Sequence, residues 1–198
     1  MARNKRALRL KRDRRRKQQL NSATEQMRMA SRWPLASCLM STNWTDRGAL
    51  VQLVLMRRRS SDDSSEPGAV GVFLADLGCL GIKNAFARYM SMTEHEALLD
   101  HLFDTASFEQ VSPDLALKVL VAARDYASSL GFAPHPDSKA PLMLLHDADP
   151  ARAGESIPVG GPDGKPLFVS GPDDDVPRVV SQLSARLGPD GFDYILRV

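Results

Sequence analysis

Two apolar runs stand out in the first half of the chain. Residues 49–56, ALVQLVLM, and 69–77, AVGVFLADL, are rich in β-branched residues and leucine and predict two strands. The polar stretch between them, RRRSSDDSSEPG, ends on a Pro-Gly breaker, so the pair reads as a hairpin with a long, mobile loop. The second run continues as VFLADLGCLGIKNAF, in which the apolar residues meet a cysteine flanked by glycines and then take a polar, helix-compatible rhythm.

Helical spacing follows. TEHEALLDHLF (93–103) opens with Thr93 and has Glu96 three residues on, a capping-box signature, with Leu98, Leu99, Leu102 and Phe103 on one side. SPDLALKVLVAARDYASSLG (112–131) carries Ser112 as N-cap, Pro113 at the first helical position, Asp114 at the positive dipole end and Gly131 as the stop. Leu115, Val119, Leu120, Ala123, Tyr126 and Leu130 form its apolar stripe. IPVGGPDGKPLFVSG (157–171) reads as a second hairpin turning at Pro-Asp-Gly 162–164. PDDDVPRVVSQLSARLG then predicts a helix capped by Asp173, Asp174 or Asp175 and stopped at Gly188, and FDYILRV a closing strand.

The element order predicts an α+β fold: a mostly antiparallel sheet built from two hairpins and a C-terminal strand, with helices packed on one face. Apolar residues first become dense near Trp33-Pro34, which divides the chain into an N-terminal arm, residues 1–32, and a single domain, residues 33–198.

Charge sharpens that division. The whole chain carries a formal +2, yet residues 1–32 hold 12 Lys/Arg against Asp13 and Glu25, a net +10, while the remainder holds 14 Lys/Arg and 22 Asp/Glu, a net −8. Arg3, Lys5, Arg6, Arg9, Lys11, Arg12, Arg14, Arg15, Arg16 and Lys17 crowd one stretch with a single acid, Asp13, and Leu8, Leu10 and Leu20 make no core-facing stripe there. The arm is therefore expected to be disordered or a solvated helix. Such a run suits phosphate neutralisation with counterion release, and without aromatics it engages the backbone of RNA or DNA rather than a base sequence. A solvated tail, a clasp on the acidic body and contact with anionic lipid are the competing readings.

Candidate chemistry is sparse. Cys38 and Cys79 are too few for a disulfide framework or a four-ligand zinc site and fit a reducing compartment. The basic start lacks the apolar core of a signal peptide, and no run reaches the ~20 apolar residues of a membrane span, so the expected location is cytoplasmic, with no membrane partner. Cys79 has the small residue of a nucleophile elbow only on one side, Gly81, with Leu77 on the other, so a small packed thiol is the leading reading. His135, Asp137, His146, Asp147 and Asp149 fall within about fifteen residues, and alternating His and Asp serve metal binding or acid–base chemistry, although the spacing fits no defined motif. His95 and His101 read as solvated, and the glycines of VGGPDGK lack the Gly-Lys-Ser/Thr of a phosphate loop. No cofactor motif is present.

Three stretches, CLMSTNWTDRGALVQLVLMRRR leading to GVFLADLGCLGIKNAF, SPDLALKVLVAARDYASSLGFAPHPD and DGKPLFVSGPDDDVPRVVSQLSARLGPDGFDYI, resemble an uncharacterised bacterial family of small proteins, some of which carry a Cys-rich zinc-binding tail of the SEC-C type. The resemblance spans residues 38–196 and brings no activity or catalytic residue with it. The chain has no Cys-rich segment, so no zinc role is implied. The expected function is a non-enzymatic cytoplasmic protein that binds nucleic acid, RNA or the ribosome favoured, through its arm, with a globular domain that recognises a protein partner. The alternative is a hydrolytic or metal-dependent enzyme using residues near Cys79, His135, His146 and Asp147.

Overall fold

A computed structural model describes residues 22–60, 66–172 and 174–196. They form an α+β fold around a five-stranded antiparallel sheet in the order β4-β3-β2-β1-β5. Its strands are β1 (Leu35–Ser41), β2 (Leu50–Arg57), β3 (Gly68–Asp76), β4 (Gly81–Met90) and β5 (Phe108–Gln110). β2 and β3 pair in continuous register from Leu50–Asp76 to Arg57–Ala69, as their two apolar runs predict. The central part of the loop between them lies outside the described residues.

The central strands β2 and β3 are covered on both faces, which explains why they read as nearly unbroken apolar runs. Val51, Leu53, Leu55, Ala69, Phe73 and Ala75 point into the main core, while Val54, Met56 and Val70 point the other way. Helix α3 (Pro113–Ser129) covers the main face through Leu115, Ala116, Val119, Leu120 and Ala123, joined by Ala140 of the short α4 (Lys139–Leu142) and by Leu144 and Leu145. Helix α2 (Met92–Phe103) packs Leu98, Leu99 and Leu102 on the opposite face, so helices flank the sheet on both sides rather than one.

Local capping follows the sequence where the cap is unambiguous. Ser112 Oγ accepts from Leu115 N at 3.1 Å, Pro113 opens α3, and Gly131 holds a left-handed φ of 86° just beyond its end. α2 starts earlier than Thr93: Ser91 Oγ accepts from Glu94 N at 3.3 Å and Glu94 Oε2 from Ser91 N at 2.8 Å, a complete capping box two residues upstream. His95 lies three, four and seven residues before Leu98, Leu99 and Leu102 on the packed face of this helix, so it is buried rather than solvated.

Four expectations are corrected. The segment after Cys79 is a strand, β4, and β1 adds a further strand that the sequence reading left unassigned. Residues 22–30 are helical (α1), and Met27 and Ala30 are buried in the main core, so the folded body begins upstream of Trp33 and the last part of the 1–32 arm belongs to it. The second hairpin does not form. A tight turn occurs, with Gly164 N donating to Gly161 O at 3.0 Å, but Gly160 N binds Leu77 O at 2.8 Å and Leu167 N binds Gly78 O at 3.0 Å. Gly161 N still donates to Lys165 O at 2.6 Å and closes the turn, but beyond that one bond both flanks are drawn to the β3–β4 turn and no strand ladder forms between them. Finally, the closing strand does not join the main sheet: β7 (Asp193–Ile195) pairs in parallel with β6 (Leu167–Val169) beside helix α5 (Val176–Leu187).

Candidate functional site

The turn from β3 to β4 is built around Asp76. Its carboxylate folds back so that Oδ1 accepts from Gly78 N at 2.8 Å and Cys79 N at 3.0 Å, while Oδ2 is buried with no hydrogen-bond partner. Burial pushes the Asp76 carboxyl up to about 6, against the opposing pull of the Leu80, Cys79 and Gly78 N–H groups and of Lys83. Cys79 is fully buried in a second cluster with Leu130, Phe168, Val179, Leu183 and Phe192. Burial first, then the neighbouring Asp76 charge, pushes its thiol up to about 12. Without solvent access and with its pKa raised, the thiol lacks the exposed, lowered-pKa setting of a reactive cysteine.

Beside that turn lies a cleft of about 410 Å³ lined by Leu80, Lys83, His135, Asp174, Asp175 and Arg178 among others. Lys83 Nζ meets Asp174 Oδ2 at 2.6 Å, and the same oxygen accepts from Gly171 N at 2.7 Å. Asp175 Oδ1 accepts from Arg178 N at 3.2 Å and caps α5. The three predicted acidic caps thus divide their work: Asp175 caps, Asp174 pairs with a lysine, and Asp173 lies outside the described residues. His135 N donates to Ile82 O at 2.9 Å and its Nδ1 accepts from Asp137 N at 3.3 Å, which fixes the loop against β4.

The His/Asp loop is not gathered into a site. Asp147 pairs with the buried guanidinium of Arg57, which also donates to Leu144 O at 2.7 Å and to Trp33 O at 2.8 Å. His146 is exposed, its Nδ1 3.8 Å from Asp147 Oδ1. Asp149 Oδ1 accepts from Ala151 N at 3.0 Å, and Asp149 N donates to Asp114 Oδ1 at 2.7 Å. Among the described residues no three His, Cys, Asp or Glu side chains are placed to hold a metal ion. The carboxylates of Asp147 and Asp149 serve a backbone N–H group and two arginines, Arg57 on Asp147 and Arg152 3.8 Å from Asp149.

Arg3, Lys5, Arg6, Arg9, Lys11, Arg12, Arg14, Arg15, Arg16 and Lys17 lie outside the described residues. The base from which they extend is well defined. Tyr89 Oη donates to Gln26 O of α1 at 3.2 Å, and the Tyr89 and Trp33 rings meet with centroids 5.7 Å apart at 32°. The Arg59 guanidinium stands 5.1 Å from the Trp33 ring centroid, within cation–π range. Together with Glu66 and Pro67 these side chains line a cavity of about 360 Å³. Sequence reasoning passed over this aromatic pair. The available signal was weak: Trp33 and Tyr89 each directly follow an arginine, Arg32 and Arg88.

No family model matches the chain, and no curated protein and no solved structure is significantly similar to it. Among the described residues no helix is long and apolar enough to cross a membrane.

Proposed function

We propose that this chain is a non-enzymatic, cytoplasmic nucleic-acid-binding protein whose arm, from Arg3 to Lys17, engages phosphates of RNA, while its folded body recognises a protein partner. The carrying observation is the charge partition: ten cations and one acid between residues 3 and 17, set against a remainder of net −8 beyond residue 32. A polyanion releases counterions on meeting such a run, which supplies affinity without sequence preference. An acidic body repels the same polyanion and confines contact to the arm and its base. RNA, ribosomal RNA included, is the favoured target because an arm without aromatics is suited to an abundant backbone rather than to a chosen sequence.

Binding of full-length protein to RNA and to duplex DNA, followed over a salt series, tests this reading. With about five phosphates neutralised, log K against log[salt] on duplex DNA falls with a slope near −4 to −5. Removing residues 1–20 abolishes binding and leaves the thermal midpoint nearly unchanged, because the deletion stops short of Met27 and Ala30, which are buried. Affinity retained by the truncated protein would overturn the proposal.

A further inference from the structure

The cavity at the base of the arm has the chemistry of a nucleobase site. Tyr89 shares the face of β4 with Ala85 and Ala87, which pack on the main core, yet it remains 36% exposed. Its ring is held by the hydrogen bond to Gln26 O and set at an open angle to Trp33, so the two present a preformed aromatic wall. The Arg59 side chain is 66% exposed, and among the described residues its ion pair is a long one, 3.8 Å, with Glu66, so little holds it on the Trp33 ring against a stronger charge. The cavity volume lies within the range of about 300–1,000 Å³ of small-molecule sites.

Position adds to chemistry. Gln26 lies four residues beyond Ser22, about 6 Å along the helix axis, and Lys17 precedes Ser22 by five residues. The residue whose carbonyl holds Tyr89 therefore lies nine residues beyond the last cation of the Arg3–Lys17 run. We infer that the Trp33–Tyr89 cavity takes an unpaired base of single-stranded RNA, stacked on the two rings, with Arg59 turning to the flanking phosphate. This rests on the reading of the arm as a phosphate-binding segment and gives it what the arm lacks, a preference for single strands. Stacking suits any base, since each has a π-face, whereas bases inside a duplex are not available to the rings.

The test uses full-length protein carrying Trp44→Phe, which leaves Trp33 as the only tryptophan, titrated with a labelled ten-residue oligouridine and with a duplex DNA of equal length. Oligouridine is expected to quench Trp33 fluorescence, and duplex DNA to leave it largely unchanged. Tyr89→Ala is expected to lower oligouridine affinity about ten-fold with duplex affinity unchanged, and Tyr89→Phe, which keeps the stacking ring and loses only the bond to Gln26 O, to lower it far less. Should Tyr89→Ala fail to fold, Arg59→Ala carries the test, with a larger loss on oligouridine than on duplex. Equal losses on both ligands, or binding without quenching, would overturn the base site and leave the arm reading intact. Absence of binding to both ligands by the full-length protein would overturn the two together.

Discussion

Lys83 Nζ lies 2.6 Å from Asp174 Oδ2, and both side chains are largely buried. One ion pair thus ties β4 of the main sheet to the residues that open α5. Removing one partner of a buried pair strands the other charge, so Lys83→Met is expected to cost about 3–5 kcal/mol in denaturant unfolding. Lys83→Met with Asp174→Leu is expected to recover much of that loss, because two apolar groups leave no buried charge behind. A single-variant loss below about 1 kcal/mol would mean that water solvates the pair.

Gly81 and Cys79 should respond very differently to substitution although they stand two residues apart. Gly81 holds φ at +70°, and a Cβ there would lie 2.7 Å from Ala127 Cβ and 3.0 Å from Ala123 O of α3. Gly81→Val therefore combines backbone strain with overpacking, each about 1–3 kcal/mol, for an expected loss above about 3 kcal/mol. Cys79→Ala leaves a small cavity and is expected to cost at most about 1–2 kcal/mol, with nucleic-acid binding unchanged. Chemical denaturation of both variants checks the contrast, and a Cys79→Ala protein that folds but loses binding would assign the thiol a function.

Asp76 gives stability a distinct pH dependence. Its folded pKa, about 6, lies above the ordinary carboxyl value of 3.8, so between these values the folded state binds the extra proton. Its contribution is fully present below about pH 4 and is lost as pH rises through about 6, opposite in sign to that of a paired surface carboxylate. The two-unit interval corresponds to roughly 3 kcal/mol at most. Subtracting the stability curve of Asp76→Asn from that of the wild type between pH 4 and 7 isolates the slope, whatever constant offset the substitution adds. A difference curve that is flat across this window would place the carboxyl in contact with solvent.

What the sequence revealed depended on how local the cause was. α3 was legible because Ser112, Pro113 and Gly131 act within their own turns. β4 was not, for a physical reason. A register shift against β3 between Leu74 and Ala75 leaves Lys83 as the extra residue between Ile82 and Asn84, so that Ile82 and Ala85, three apart, both face the main core. Inward residues three apart imitate helical spacing and break the alternation expected of a strand. The 162–164 turn was legible, whereas the fate of its flanks was decided by Leu77 O and Gly78 O, some eighty residues earlier. Met27 and Ala30 were masked by the charged residues around them, and a site made by Trp33 with Tyr89 comes from two distant segments, leaving no local pattern to read.

The two cysteines sit in different apolar clusters: Cys38 in the core beneath α3, Cys79 in the smaller one beneath α5. The first cluster rests on a meander whose neighbouring strands are mostly adjacent in sequence, a topology of short-range strand contacts. The second closes only when α5 docks and β6 finds a parallel partner that follows it in the chain. The smaller, C-terminal cluster is expected to open at lower free energy than the main core, because it holds fewer buried apolar residues. The protein thus carries its own pair of clocks: exposure of Cys79 times the opening of the C-terminal layer, and exposure of Cys38 times unfolding of the whole.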